Sequence, residues 1–537
     1  MLKYSYLAIL SNLGLIKGLF SRRNLGCLFQ NQSLSFFFRD LYVVKSYLTN
    51  SNLSRRFFCL KPIFLRILSL SCLLSISVNS AYGLNATTAN FIHGHQPVIS
   101  FDGGKTSNIN VLPLLSLNLP DKRIEAVDDN SSSANPIILN KLWVTFNDIK
   151  TSISYDSYPS TTLLNIISKN KYWFDSDGDD LNTITGNFQI KWETSDGTDV
   201  TNQVKNNPDD ELDSCKAPYK LSLIADSGIL TTGYGVPNIG TFEGGRHIYF
   251  LQPKTPKVCY AQPNVANDST NKAETDYPDL DGPNWAKSRG FIPQNVNSPE
   301  QNFPTVGSDN LKFYLILKGI TPEEIIDING RTITSADNSL IVLRLAAEDT
   351  PGWGKSKKEK ALKIQFNELT PNPKFTKPSR YYVYADKDKK KILYSFLLQR
   401  WFVAKGAGID DSYQDAINYC KGIGYRVPST SDYTNANTDF WKGGIPNRNI
   451  NGYRRQLSYR DSSGRWIGGL FNEWGTVFSS AEHYPGTKWE PKHPDDWYWT
   501  TDFVKNDTEI IRIDSGDGDL GTSPINGNKN RTACVTP

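Results

Sequence analysis

The residue types that could do chemistry in this chain are few: four cysteines, one run of alternating aspartates, and one loop that gathers acids, a histidine and a tryptophan. The cysteines beyond residue 83 are Cys215, Cys259, Cys420 and Cys534. No CxxC pair occurs, so neither a zinc ribbon nor a thioredoxin-like centre is indicated. An even count favours two disulfides, and proximity favours Cys215–Cys259 with Cys420–Cys534 over the other two connectivities. The aspartates are Asp175, Asp177 and Asp179, in the run from Phe174 to Asp180 that reads FDSDGDD. Alternating carboxylates around a glycine can converge on one hard cation, and a structural calcium is the metal this pattern suggests. The run departs from an EF-hand loop, because Gly178 comes too early and no glutamate closes it. A solvated turn between strands is the competing reading.

The loop is His493-Pro494-Asp495-Asp496-Trp497. A glycosidase needs two carboxyl groups facing each other across a cleft, which adjacent aspartates do not provide. GxSxG, HExxH and a P-loop are all missing from the sequence, so the expectation is a non-enzyme that requires no cofactor. His493, Asp495, Asp496 and Trp497 are instead expected to bind, because recognition concentrates in loops held by a rigid scaffold.

The compartment follows from charge. Residues 1–66 carry ten Lys or Arg against one acid, Asp40. Ile67 to Val78 is a run of twelve uncharged, mostly apolar residues, followed by Ala81-Tyr82-Gly83 with small residues at the two positions a signal peptidase reads. Spanning a bilayer takes about 20 residues. Residues 1–83 are therefore expected to be a cleaved leader, and no second apolar span follows. Met1 is the only methionine, so an initiation site near Asn50 would give a leader of ordinary length. After residue 83 there are 49 basic residues (59 less 10) against 54 acidic (55 less 1), a net charge of −5. The positive charge of the whole chain thus belongs to the leader, and nucleic-acid binding loses its support. The lysine runs at 355–360 and 387–391 read as solvated turns.

The elements that would position these residues are mostly strands. Residues 84–135, with little periodicity, read as a linker or extended segment. From Leu142 to Phe146 onward, short β-like runs are broken by Gly, Pro, Asn and Asp: Phe188 to Trp192, Tyr219 to Ile224, His247 to Leu251, Phe313 to Leu317, Ser339 to Leu345 and Tyr381 to Tyr384. This is the pattern of a β-sandwich. Residues 136–390 would form a β-rich region, with a break near the Pro/Asn/Asp/Ser-rich stretch 262–308. Ile392, Tyr394, Phe396 and Leu398 alternate as the entry strand of a last domain, 391–537. There Tyr413, Ala416, Ile417 and Cys420 recur at helical spacing behind Ser412 and Asp415, a capping-box-like start, and Ser429 with Asp432 starts a second short helix.

The segment 392–537, with YSFLLQRWF, YC…GYRVPSTSDYTNA, GGLFNEWG, YWTTD and RTACV, resembles the C-type-lectin-like terminal domain of invasin/intimin-type bacterial adhesins. The region from His93 to Leu345, with GHQPVISF and YWFDSDGDD…FQIKWETSDG, looks like the adhesion domain of the invasin E-type group, and the same string is similar to bacterial immunoglobulin-like repeats, in which the tryptophan is a core residue; Trp192 would then be structural. The resemblance implies an immunoglobulin-like adhesion region followed by a lectin-like domain, on an exported or surface-held protein of a Gram-negative bacterium that binds a cell-surface protein receptor or a glycan. Two departures qualify it. No β-barrel pattern lies between residues 84 and 140, so a separate outer-membrane anchor protein would have to retain the chain if it is not simply secreted. Sugar-binding lectins that use calcium carry EPN or QPD, whereas this chain has Trp489-Glu490-Pro491-Lys492. A secreted carbohydrate-binding module stacking sugars on Trp474, Trp489, Trp497, Tyr498 and Trp499 is the alternative, and a structural spacer in a larger adhesive assembly is a third.

Overall fold

The structure, a computed structural model, describes residues 93–265, 280–354, 356–375, 378–492, 497–504 and 508–537. The leader expected at 1–83 lies outside them. The described chain is built mainly of β-strands around two hydrophobic cores, one drawn from residues between Ile99 and Leu251, the other from residues between Val258 and Val535.

The first core lies under a five-stranded sheet in the order Ile137–Leu139, Gly245–Pro253, Tyr219–Ala225, Asn187–Glu193, Ser160–Thr162. A three-stranded sheet of Ile239–Phe242, Gly228–Thr232 and Leu181–Ile184 completes it. Strand Asn187–Glu193 shows why. Phe188, Ile190 and Trp192 are buried while Asn187, Gln189 and Lys191 face out, the period-two alternation that a half-buried strand demands. Trp192 is a core residue, packed edge-on to Phe146 at 5.3 Å. Helix Leu163–Asn170 begins where Thr162 accepts a hydrogen bond from the Asn165 amide and ends on Lys171 at φ 54°.

Three sequence expectations need correction here. Residues 93–135 are not a linker, because Ile99, Val111, Leu114, Leu115, Leu117 and Leu119 are buried in the first core. They escape a periodicity reading since Leu112–Leu115 is a 3-10 turn, not a strand or an α-helix. Leu142 to Phe146 is not a strand either. Trp143 takes φ 57°, and Phe146 opens a 3-10 helix at whose start the Thr145 amide and hydroxyl both donate to the Asp148 carboxylate, at 2.9 and 3.2 Å, a local polar signal that overrides the apolar run. Within the expected break at 262–308, Phe291, Phe303 and Val306 are core residues.

The second core does not respect the expected boundary near residue 390. Its seven-stranded antiparallel sheet runs Trp285–Ala286, Gly290–Phe291, Lys257–Gln262, Lys312–Lys318, Lys360–Glu368, Ile341–Asp349, Thr332–Thr334. The hairpin of Ser379–Tyr384 and Ile392–Leu398 packs with it through Tyr381 and Phe396, stacked at 5.0 Å, and Phe366. Val306–Ser308 then pairs in parallel with Arg400–Ala404, which pairs antiparallel with Ala533–Val535. Trp474 donates to the Val306 carbonyl at 2.8 Å and Trp489 to the Ser308 hydroxyl at 3.2 Å. The C-terminal segment therefore shares one core with the sheet that precedes it. Within that segment a five-stranded sheet has the order Asp410–Asp411, Asn530–Arg531, Trp497–Phe503, Glu509–Asp514, Leu520–Pro524. Helix Tyr413–Gly422 forms with Ser412 as its cap, the Asp415 amide donating to it, and Thr430–Tyr433 follows behind Ser429.

Both disulfides form, Cys215–Cys259 and Cys420–Cys534. They do different work. Cys420 sits on the buried face of its helix and ties it to the last strand. Cys215 lies on the first body and Cys259 on a strand of the second, so this bridge fastens the junction. There the Ser214 hydroxyl donates to the Thr255 carbonyl at 2.7 Å, the Trp143 amide to the Thr255 hydroxyl at 2.9 Å, and Lys257 pairs with Asp213 at 3.0 Å.

Candidate functional site

Of the loop expected to bind, His493, Asp495 and Asp496 lie outside the described residues; Trp497 is described. It opens the strand Trp497–Phe503, opposite Asp514, and is half-buried. The Arg512 guanidinium covers its ring at 4.3 Å, and a Cβ on Gly521 would come within 3.0 Å of it. One face of the indole is thus taken up by the protein's own cation. The other aromatics proposed to stack on sugars are buried: Trp474, Trp489 and Trp499 are fully inaccessible and Tyr498 nearly so. They are core residues. Trp499 donates to the Asp411 carbonyl at 2.8 Å, as a buried indole N–H must find an acceptor.

Glu490 lies in the Trp489-Glu490-Pro491-Lys492 stretch that the sequence reading set against the EPN and QPD motifs. Here it is 4% exposed. Its Oε1 accepts from the Gly408 amide and pairs with Arg531 Nε at 2.9 Å. Arg531 also reaches Asp410 at 2.7 Å. The carboxylate is paired inside the fold with Arg531.

Asp175, Asp177 and Asp179 sit in the turn between Trp173–Phe174 and Leu181–Ile184. They do not converge. Asp175 points inward and its Oδ1 accepts the Asp177 amide at 2.8 Å. Asp177 instead turns to His95, accepting the His95 amide on Oδ2 and meeting the ring Nδ1 with Oδ1 at 3.1 Å. Those hydrogen bonds from His95 hold the Asp177 carboxyl below the usual range, while desolvation and the charges of Asp175, Asp177 and Asp180 push Asp179 up. Among the described residues no group of three His, Cys, Asp or Glu is placed to hold one metal ion. The arrangement is a polar turn latched by His95, which lies in the stretch read from the sequence as a linker or extended segment.

Two features were not visible in the sequence. Glu473 is fully buried and accepts four hydrogen bonds, from the amide and hydroxyl of Thr305 and the amide (2.8 Å) and hydroxyl (2.6 Å) of Ser458. It fixes a C-terminal loop to the segment entering the second core. Burial raises its carboxyl, and the hydrogen bonds from Ser458 and Thr305 oppose that rise. A cleft of about 510 Å³ lies at the junction of the two bodies, with Trp143, Asp213, Lys257 and Lys391 in its wall. Lys391 Nζ lies 5.4 Å from the Trp143 ring. No helix among the described residues is long and apolar enough to cross a membrane.

No family model matches the sequence, and no curated protein matches it. Among solved structures the chain is similar to that of invasin, described as a bacterial integrin-binding protein, with a TM-score of 0.28 and 14% identity. The match covers 72% of this chain and 57% of that one, less than two thirds of its length. Similarity at that level carries no weight for fold or function.

Proposed function

We propose that the chain is a non-catalytic adhesin, exported through the secretory pathway, that binds a cell-surface protein through the loop-rich face of its C-terminal segment without calcium. The motif resemblance to invasin/intimin-type adhesins supports this reading, as do two disulfides of the kind oxidising compartments permit. In this reading 391–537 is a lectin-like domain docked on an immunoglobulin-like one. The observation that carries the calcium-free part is the Glu490–Arg531 pair at 2.9 Å. The burial of Trp474, Trp489 and Trp499 favours a protein ligand over the carbohydrate-binding alternative, because it leaves no open aromatic platform among them. Cell binding by the purified chain, with and without EDTA and after glycosidase treatment of the cells, tests it. Binding should survive both treatments.

A further inference from the structure

Three arginines from separate parts of the C-terminal segment lie close together, two of them over one tryptophan. Arg400 begins the strand Arg400–Ala404, Arg426 follows the helix that carries Cys420, and Arg460 pairs with Trp466 across the short hairpin Tyr459–Arg460/Trp466–Ile467. The Arg400 guanidinium lies 4.1 Å from the centre of the Trp466 ring and that of Arg460 at 5.7 Å. Trp466 is 5% exposed, and its indole N–H has no acceptor in the protein.

The carboxylate inside this group is saturated. Asp432 is fully buried and accepts from Arg400 Nη1, from Arg426 Nη1 at 2.7 Å and Nη2 at 3.2 Å, and from the amide (2.7 Å) and hydroxyl (2.8 Å) of Ser429. Five donors exhaust a carboxylate's lone pairs. Asp502 lies to the Arg426 side and accepts the Thr430 amide at 2.6 Å. Arg465 is engaged by Asp461 at 3.2 Å. Arg460 is exposed, donates only to the Gly464 carbonyl at 2.9 Å, and has no carboxylate partner among the described residues. Burial, and after it the repulsion of Arg426 and Arg460, pull the Arg400 guanidinium down to about 9.

We propose that Arg400 and Arg460 over Trp466, with the neighbouring Arg426, form an anion site that receives an aspartate or glutamate carboxylate from an acidic segment of the bound protein. This rests on the adhesin reading and gives its ligand a chemistry. Planar guanidinium forks suit a carboxylate, while the Trp466 face that a sugar ring would need is already covered by Arg400.

The test uses the full chain, a poly-glutamate peptide, a neutral Gly/Ser peptide and a heparin-derived oligosaccharide, titrated calorimetrically at low salt. Arg460→Gln should lower affinity for poly-glutamate roughly tenfold, with partial rescue by Arg460→Lys, and its thermal midpoint should match wild type because Arg460 is exposed. Equal poly-glutamate binding by wild type and Arg460→Gln, or binding of the oligosaccharide alone, would overturn the site. Cell binding separates the two readings. Peptide bound by wild type, lost in Arg460→Gln, with no cell bound, keeps the site and removes the adhesin; cells bound equally by both chains with no peptide bound does the reverse.

Discussion

The two cores of this molecule share a plan of sequential strands but differ in how much of each is closed by distant segments. The first has a local spine, Asn187–Glu193 beside Tyr219–Ala225 beside Gly245–Pro253, to which earlier segments are tied by distant contacts such as Tyr249 to the Leu115 carbonyl, 134 residues away. The second is closed by contacts between segments far apart, such as Thr305 with Glu473 and Val306 with Trp474, each 168 residues away. The second should fail as a unit, because no segment buries its aromatics without the others.

The largest expected effect tests that unity. Trp474→Ala removes a fully buried indole that packs on Phe303, Phe313 and Phe366, and should destabilise the second body by about 3–5 kcal/mol. Two-probe urea denaturation should show the sheet 257–368 and the segment 392–537 unfolding together at lower urea, with the first body unmoved. Independent unfolding of 392–537 would restore a boundary near 390.

The disulfides come next. Replacing Cys420 and Cys534 by Ser opens a loop with a separation of 114 residues inside the second core and should cost roughly 2–5 kcal/mol there. Replacing Cys215 and Cys259, 44 residues apart across the junction, should instead loosen the coupling of the bodies, read as two resolved calorimetric transitions where wild type shows closer ones.

Glu473→Gln sharpens the comparison at a single group. The amide would set a donor against the Thr305 amide, which now donates to Oε2 at 2.8 Å, costing about 1–3 kcal/mol. Its pH signature has a definite sign. Because burial raises the folded carboxyl above its unfolded value, the stabilisation linked to it is full below the unfolded pKa and is lost as pH rises through the folded one. Stability of wild type relative to Glu473→Gln should therefore fall as pH rises through that range; an opposite slope would mean that the four donors outweigh burial.

What the sequence disclosed follows the same division. Alternation in Phe188 to Trp192, the caps at Ser412 and Ser429, and the cysteine pairing by proximity are local signals, and each led to the observed element. The continuity of the second core was illegible, since nothing near residue 306 announces a partner at 474. Hydrophobic residues without a period, as at Leu112–Leu115, were read as linker though they fill the first core. The candidate site was the least legible part. Of the aromatics that looked available for sugars, Trp474, Trp489, Tyr498 and Trp499 are core, and Arg400, Arg426 and Arg460 meet only through the fold.

The central claim is recognition of a cell-surface protein without calcium, and its most direct test is adhesion of the purified chain to host cells in matched buffers containing calcium or EDTA. Equal binding in both is the result this account predicts; binding abolished by EDTA would contradict it.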